Sequence, residues 1–245
     1  MLTIRLRAVT AVLITSALGL CACSGPSAPK QPFAGVPDLA ASVAERAEAS
    51  EGIRFKVEAT YGGQTEGEGE GVIFVKAGNI SVRSKTQYDG PDRIGEIVDT
   101  GEKVFLRTYP GERMVPRDGV APWTETTLSA AEPCESFDWW ILLGLRAAYE
   151  SQVLAESPSR IIDSKEMAGL FEYSVAVSGL EVLESVTGAP QGNSKCFLSQ
   201  LTFTVDESGK LRSMRANLSI EGQAAEVSWE YLDWDVEGQI DVPTS

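Results

Sequence analysis

The chain has no histidine in 245 residues. That single absence excludes a Ser-His-Asp triad, a Cys-His nucleophile pair and every histidine-based metal site. Cysteine is scarce, with four in all. Neither Cys134 nor Cys196 lies in a CxxC, so a cysteine metal centre is not expected. Positive charge is also short, at 21 Lys and Arg against 35 Asp and Glu, a net −14. This balance argues against nucleic acid and against lying flat on anionic lipid. Solubility explains the acidity without any partner. There is no GxSxG. The one SxxK match, Ser27-Ala28-Pro29-Lys30, falls in a Pro-rich stretch where no pocket can activate the serine.

Three further patterns fall short of the chemistry they suggest. Gly67, Gly69 and Gly71 alternate with glutamates, which would repel phosphate, and no helix follows them. They are expected to form a solvated hairpin end. Asp233-Trp234-Asp235-Val236-Glu237-Gly238 begins like a calcium loop, but its twelfth position is Thr244 and no helices flank it. An acidic turn between two strands is expected there. Asn79-Ile80-Ser81 and Asn217-Leu218-Ser219 match the glycosylation acceptor pattern and carry no weight in an exported bacterial-type chain. No catalytic residue, cofactor or metal ligand is therefore assigned, and the chain reads as a non-enzyme. A hydrolase using carboxylates alone is the one enzymatic reading left open, since its acidic pairs cannot be singled out without a pocket.

What the chain does have begins at its start. Arg5 and Arg7 precede the apolar run Val9–Leu20, too short to span a bilayer comfortably. A positive start, an apolar run of about a dozen residues and a small residue before the cut make a secretory signal. Leu20-Cys21-Ala22-Cys23 resembles a bacterial lipobox. Cleavage before Cys23 would make 1–22 the signal peptide, and the Cys23 thiol would carry a diacylglyceryl, palmitate-type anchor. Cys21 is the weaker candidate, because bulky Leu20 would sit at the cut. The alternative is an ordinary cleaved signal in which Cys23 is incidental. Two acyl chains anchor a protein firmly, at about 0.8 kcal/mol per buried methylene. The expected location is thus the extracytoplasmic face of the cell membrane. Loss of Arg5 and Arg7 takes the net charge from −14 to −16.

Residues 23–36 carry the lipidated cysteine and a Pro- and Ser-rich tether, with Pro26, Pro29 and Pro32. Residues 37–245 suit one domain. Outside the cytoplasm, Cys134 and Cys196 are most simply a disulfide, closing a loop of roughly 60 residues worth about 3–4.5 kcal/mol. Leu39, Val43 and Ala47 make a helical stripe that Gly52 ends. Period-two alternation follows, with Phe55, Val57, Ala59 and Tyr61 on one face. Short strands are expected at 72–75, 80–85, 94–98 and 104–109, and again around 171–177, 201–205, 214–220 and 227–231. Short hairpins make the sheet antiparallel, and one face is consistently apolar while the other is wet. Between the two groups of strands, residues 139–153 read as a helix apolar around most of its circumference. Roughly ten strands and two helical segments give an α+β domain whose helices cover the apolar face.

The layout is similar to the LolA/LppX-like group of envelope lipoproteins. The likeness is carried by the lipobox and tether leading into a helix and Gly52-Ile53-Arg54-Phe55, the mid-chain helical block and the strand Phe171–Val177. It is carried further by Leu201–Val205 with the turn Asp206-Glu207-Ser208-Gly209 and Lys210–Met214, and by an ending from Tyr231-Leu232-Asp233-Trp234 through Val242-Pro243 that resembles a final strand. The resemblance implies a strongly curved, incomplete antiparallel barrel with helices closing its concave apolar side. It also implies a lipid-binding, lipid-transport role with lipid or lipoglycan as ligand and no covalent chemistry. A carrier needs a concave apolar surface and an apolar lid. Trp140, Leu143 and Ala147, the second strip of the mid-chain helix, could line that cavity. Equally, the helix could be buried on both sides by sheet and loop. The competing function is an assembly lipoprotein that docks an envelope protein by its acidic face or a sheet edge.

Overall fold

The computed structural model describes residues 32–74, 79–86, 93–110, 122–127, 159–177 and 196–243. Among these there is one helix, α1 (Val36–Ala49), and eleven strands: β1 (Ile53–Tyr61), β2 (Gln64–Phe74), β3 (Asn79–Thr86), β4 (Arg93–Asp99), β5 (Val104–Pro110), β6 (Thr124–Thr126), β7 (Arg160–Met167), β8 (Leu170–Ala176), β9 (Cys196–Asp206), β10 (Leu211–Ile220) and β11 (Gln223–Trp234). The strands form one curved sheet in the order β6-β5-β4-β3-β2-β1-β11-β10-β9-β8-β7. Every pairing is antiparallel. The two end strands, β6 and β7, are not paired with each other, so the sheet stays open.

Helix α1 starts where the stripe requires. Pro37 stands in its first turn, where its missing N–H costs nothing. Val36, Leu39, Ala40, Val43 and Ala47 are buried. They share one core with inward residues of the sheet from Val104 on β5, through Phe55, Val57 and Trp229, to Tyr173 on β8. The alternation predicted on β1 is realised: Phe55 and Val57 are buried while Arg54, Lys56 and Glu58 are exposed.

The β9–β10 turn ties the sheet to the helix. Asp206 accepts hydrogen bonds from the Ser208 N–H, the Ser208 hydroxyl and the Lys210 N–H, and pairs with Arg212 at 2.8 Å. Arg46 of α1 donates to the Ser208 carbonyl at 2.6 Å. Gly209, at φ 82°, lies against Ser42. Burial pushes the Asp206 pKa up, but the hydrogen bonds from Ser208, Lys210 and Arg212 outweigh it, and the net shift is downward from 3.8. The contribution of Asp206 is therefore complete above the unfolded-state value. It is lost as pH falls from there through the lower folded value, because the unfolded chain protonates first. Replacing Asp206 by Asn should remove this acid-side slope and destabilise the domain by about 1–2 kcal/mol at neutral pH. Urea midpoints at pH 7 and pH 3 measure both effects.

Four expectations need correction. The glycines at 67, 69 and 71 are not a hairpin end. They lie inside β2, paired on both sides, and Gly67 and Gly69 are buried. The Gly-Glu alternation is itself a strand period, with glycine inward because neighbours such as Phe55 fill the space. The wet face is not wet throughout. On β4 and β5 the second face buries Ile94, Val98, Phe105 and Tyr109, which the registers place back to back with Ile97 and Val104. The ending is not a strand as far as Val242: β11 stops at Trp234, and 235–243 is irregular. For the same reason Asp233–Gly238 is no turn between two strands. The N–H groups of Asp235 and Val236 are held by the Ser50 hydroxyl (2.9 Å) and the Gly52 carbonyl (3.0 Å). Strands β6 and β7 were missed in the sequence; β6 has three residues, and a bulge interrupts the alternation of β7 after Ile161.

Candidate functional site

The apolar face is the first candidate surface, and strand register sets out its rows. One row runs Tyr173, Phe203, Met214, Trp229, Val57 across β8, β9, β10, β11 and β1. It continues through Gly69, Ser84, Gly95 and Thr108 across β2 to β5. The next row runs Val175, Leu201, Ala216, Val227, Ala59 and then Gly67 and Thr86. Large side chains thus stand on the first row across β8 to β11, while glycine stands at 67, 69 and 95; further along the same face β2 to β5 carry Ile73, Ile80, Val82, Ile97 and Val104. Helix α1 and its lead-in touch the β8–β10 end. Ser42 and Arg46 meet the β9–β10 turn, and Phe33 packs edge-on against Tyr173 at 5.8 Å between ring centroids.

Buried polar tips lie in this face. The Trp229 indole is 1% exposed, and its N–H, the Trp234 indole N–H and the Tyr173 hydroxyl have no hydrogen-bond partner among the described residues. Burial raises the pKa of Tyr173, and the nearby Phe33 backbone pulls the other way. An unspent indole N–H in a core is uncommon, because a buried donor left unmade costs its full desolvation. Neither Trp229 nor Tyr173 was picked out from the sequence as a site residue. The missing signal was register, which alone places them on one row.

The polar face carries two open grooves. The first, of about 720 Å³, crosses β2, β1, β11, β10 and β9 and is lined by Glu58, Glu68, Glu70, Glu230, Lys56 and Arg215 among others. The second, of about 680 Å³, lies between residues 239–243 and the outer sides of β2 to β5. Its floor holds the Arg107–Glu96 ion pair, with Tyr109 donating to Glu96 at 3.2 Å and Trp123 stacked 4.4 Å from the Arg107 guanidinium.

Most of the site residues expected from sequence are outside the part of the chain that the structure describes. Cys23, Cys134, Trp140, Leu143 and Ala147 lie outside the described residues, and Cys196 opens β9. Among the described residues no group of three acidic or cysteine side chains could hold a metal. None of their helices is long and apolar enough to cross a membrane.

No family model matches the chain, and no curated protein matches it. Among solved structures it is similar to lipoprotein LppX of Mycobacterium tuberculosis, at 10% identity over 84% of this chain and 98% of that one, with a TM-score of 0.45. A DUF1329 family protein from Desulfovibrio piger matches at 10% identity over 83% and 93%, TM-score 0.37. A Pseudomonas aeruginosa MucA/MucB complex structure matches at 14% over 80% and 55%, TM-score 0.34.

Proposed function

We propose that the chain is an envelope lipoprotein, anchored through Cys23, that carries a lipid or lipoglycan without covalent chemistry. The acyl chains would lie against the apolar face of the sheet. The observation that carries this reading is a patch of glycine on that face. Gly69 and Gly95 stand on the row of Phe203, Met214 and Trp229, and Gly67 on the next row. Packing against Phe55 accounts for the glycine at 71, but at 67, 69 and 95 glycine weakens its strand and leaves the sheet without a covering side chain. A sheet that receives an apolar guest gains depth there, and the guest leaves water at about 25 cal/mol per Å². Trp229 would offer its spare N–H to an ester or amide carbonyl of that guest.

Native mass spectrometry of the soluble chain from Ser24 onward, followed by organic extraction, tests this. Near-stoichiometric lipid is expected. A bare mass that persists after incubation with envelope lipids would overturn the reading. A second check uses shape: Gly69→Leu should fill the glycine patch and lower lipid occupancy at least fivefold.

A further inference from the structure

We infer that the rim of the glycine patch binds an anionic headgroup, a phosphate or sulfate ester, through Arg93. This rests on the lipid-carrying reading and adds to it the charge of the guest. Of the strand positions that register puts on the apolar face, one holds a cation: Arg93, at the start of β4. It stands on the row of Gly67, with Thr86 between them, and opposite Pro110 of β5. Gly95 is two residues further along β4, about 7 Å away.

A cation in this chain is easily neutralised, since Asp and Glu outnumber Lys and Arg by 35 to 21. On the polar face Arg54, Arg107, Lys165 and Arg215 each pair with a carboxylate. Arg93 is exposed and has no ion pair or hydrogen bond among the described residues. Neither register neighbour, Thr86 or Pro110, carries a charge. The carboxylates that share this face stand elsewhere. Asp99, at the far end of β4, accepts from the Gly101 N–H at 2.8 Å, and Glu166 lies on the edge strand β7. The other unspent polar groups of the face, the Trp229 and Trp234 indole N–H groups and the Tyr173 hydroxyl, can all donate. Such a face complements a guest rich in acceptors. A guanidinium meets phosphate or sulfate oxygens with a planar fork of donors. With acyl chains over the glycine patch, the head reaches the rim, where the anion keeps part of its hydration. Trp229 is on the row of Gly95 but four strand spacings away, about 19 Å, so it would meet a carbonyl further along the guest.

The test uses the full-length chain in neutral detergent with an equimolar mixture of dioleoylphosphatidylglycerol and dioleoylglycerol, which share their acyl chains. Protein-bound lipid is separated by gel filtration, extracted and counted by mass spectrometry. Phosphatidylglycerol should be retained over diacylglycerol by about fivefold or more. Arg93→Gln should bring that ratio below about twofold and leave diacylglycerol retention unchanged, while Arg93→Lys should keep part of the preference. Arg160→Gln removes the same charge from an exposed position on β7 and should leave the ratio unchanged. Excess inorganic phosphate should not displace phosphatidylglycerol. Equal retention of the two lipids, an unchanged ratio in Arg93→Gln, or equal losses in Arg93→Gln and Arg160→Gln would overturn this inference and leave lipid carriage standing. Retention of neither lipid would overturn both. Displacement by inorganic phosphate alone would make a free anion the ligand and overturn the headgroup assignment.

Discussion

Replacing Gly71 by alanine should destabilise the domain by about 3 kcal/mol, the upper part of the range for overpacked cores. A Cβ there would meet the Ser81 backbone carbonyl of β3 on one side. On the other it would lie 2.5 Å from Phe55 Cζ and 2.9 Å from Cε1. The carbonyl is fixed by the β2–β3 ladder, where Ser81 stands opposite Val72. Phe55 is fully buried and meets the tilted ring of Tyr231 at 6.4 Å between centroids. Neither neighbour can give way without opening the sheet at its centre, since β1 and β2 hold the middle of the strand order. Gly169→Ala is the control. Gly169 has φ 81° and nothing within 4 Å of the added atom, so its cost is the left-handed backbone alone, about 1–2 kcal/mol. Urea midpoints with unchanged slopes separate the two. A Gly71→Ala loss below that of Gly169→Ala would mean that the close approach of β2 to Phe55 does not exist in solution. Phe55→Leu in the Gly71→Ala background should recover part of the loss, because the two sites share one space.

This glycine also shows what could and could not be read beforehand. The period-two positions of β1, β8, β10 and β11 were legible because each strand alternates apolar and polar side chains, and the buried positions Phe55, Val57, Tyr173, Met214 and Trp229 follow that alternation. Strand β2 obeys the same period with glycine in place of the apolar residue. Hydrophobicity alone therefore could not see it, and the Gly-Glu run passed for a turn. Strand β4 was legible as a strand at 94–98, but not that both its faces are covered: Ile94, Ile97 and Val98 are buried on opposite faces, so no alternation survives to show it. The helix α1 was legible from Leu39, Val43 and Ala47 because a helix face is a local pattern. The candidate site was not, because it is a property of register. Glu58 and Glu68 are ten positions apart, and Trp229 and Val57 far more; only the antiparallel pairings of β1 with β2 and β11 bring them together. A sequence read strand by strand carries no such rows.

Trp229 offers the second large effect, and it separates packing from ligand recognition. Trp229→Ala should cost about 3–5 kcal/mol, since it empties the largest fully buried side chain of the core. Trp229→Phe should cost only about 1–2 kcal/mol. The phenyl ring keeps most of the volume between Val57 and Met214, and the lost indole N–H has no partner to strand. A purely structural tryptophan would stop there, with lipid occupancy unchanged in the Phe variant. If the N–H donates to a carbonyl of the bound lipid, Trp229→Phe should instead lower occupancy about five- to tenfold while the protein remains folded, the equivalent of one hydrogen bond of about 1–1.4 kcal/mol. Tyr173→Phe provides the matched comparison on the same register row. Its hydroxyl too is buried without a hydrogen-bond partner among the described residues, so a drop in occupancy in this variant, with Trp229→Phe unchanged, would put the carbonyl at β8 instead. Measured together by native mass spectrometry and urea unfolding, the two conservative variants place the polar end of the guest at β11 or exclude it from there.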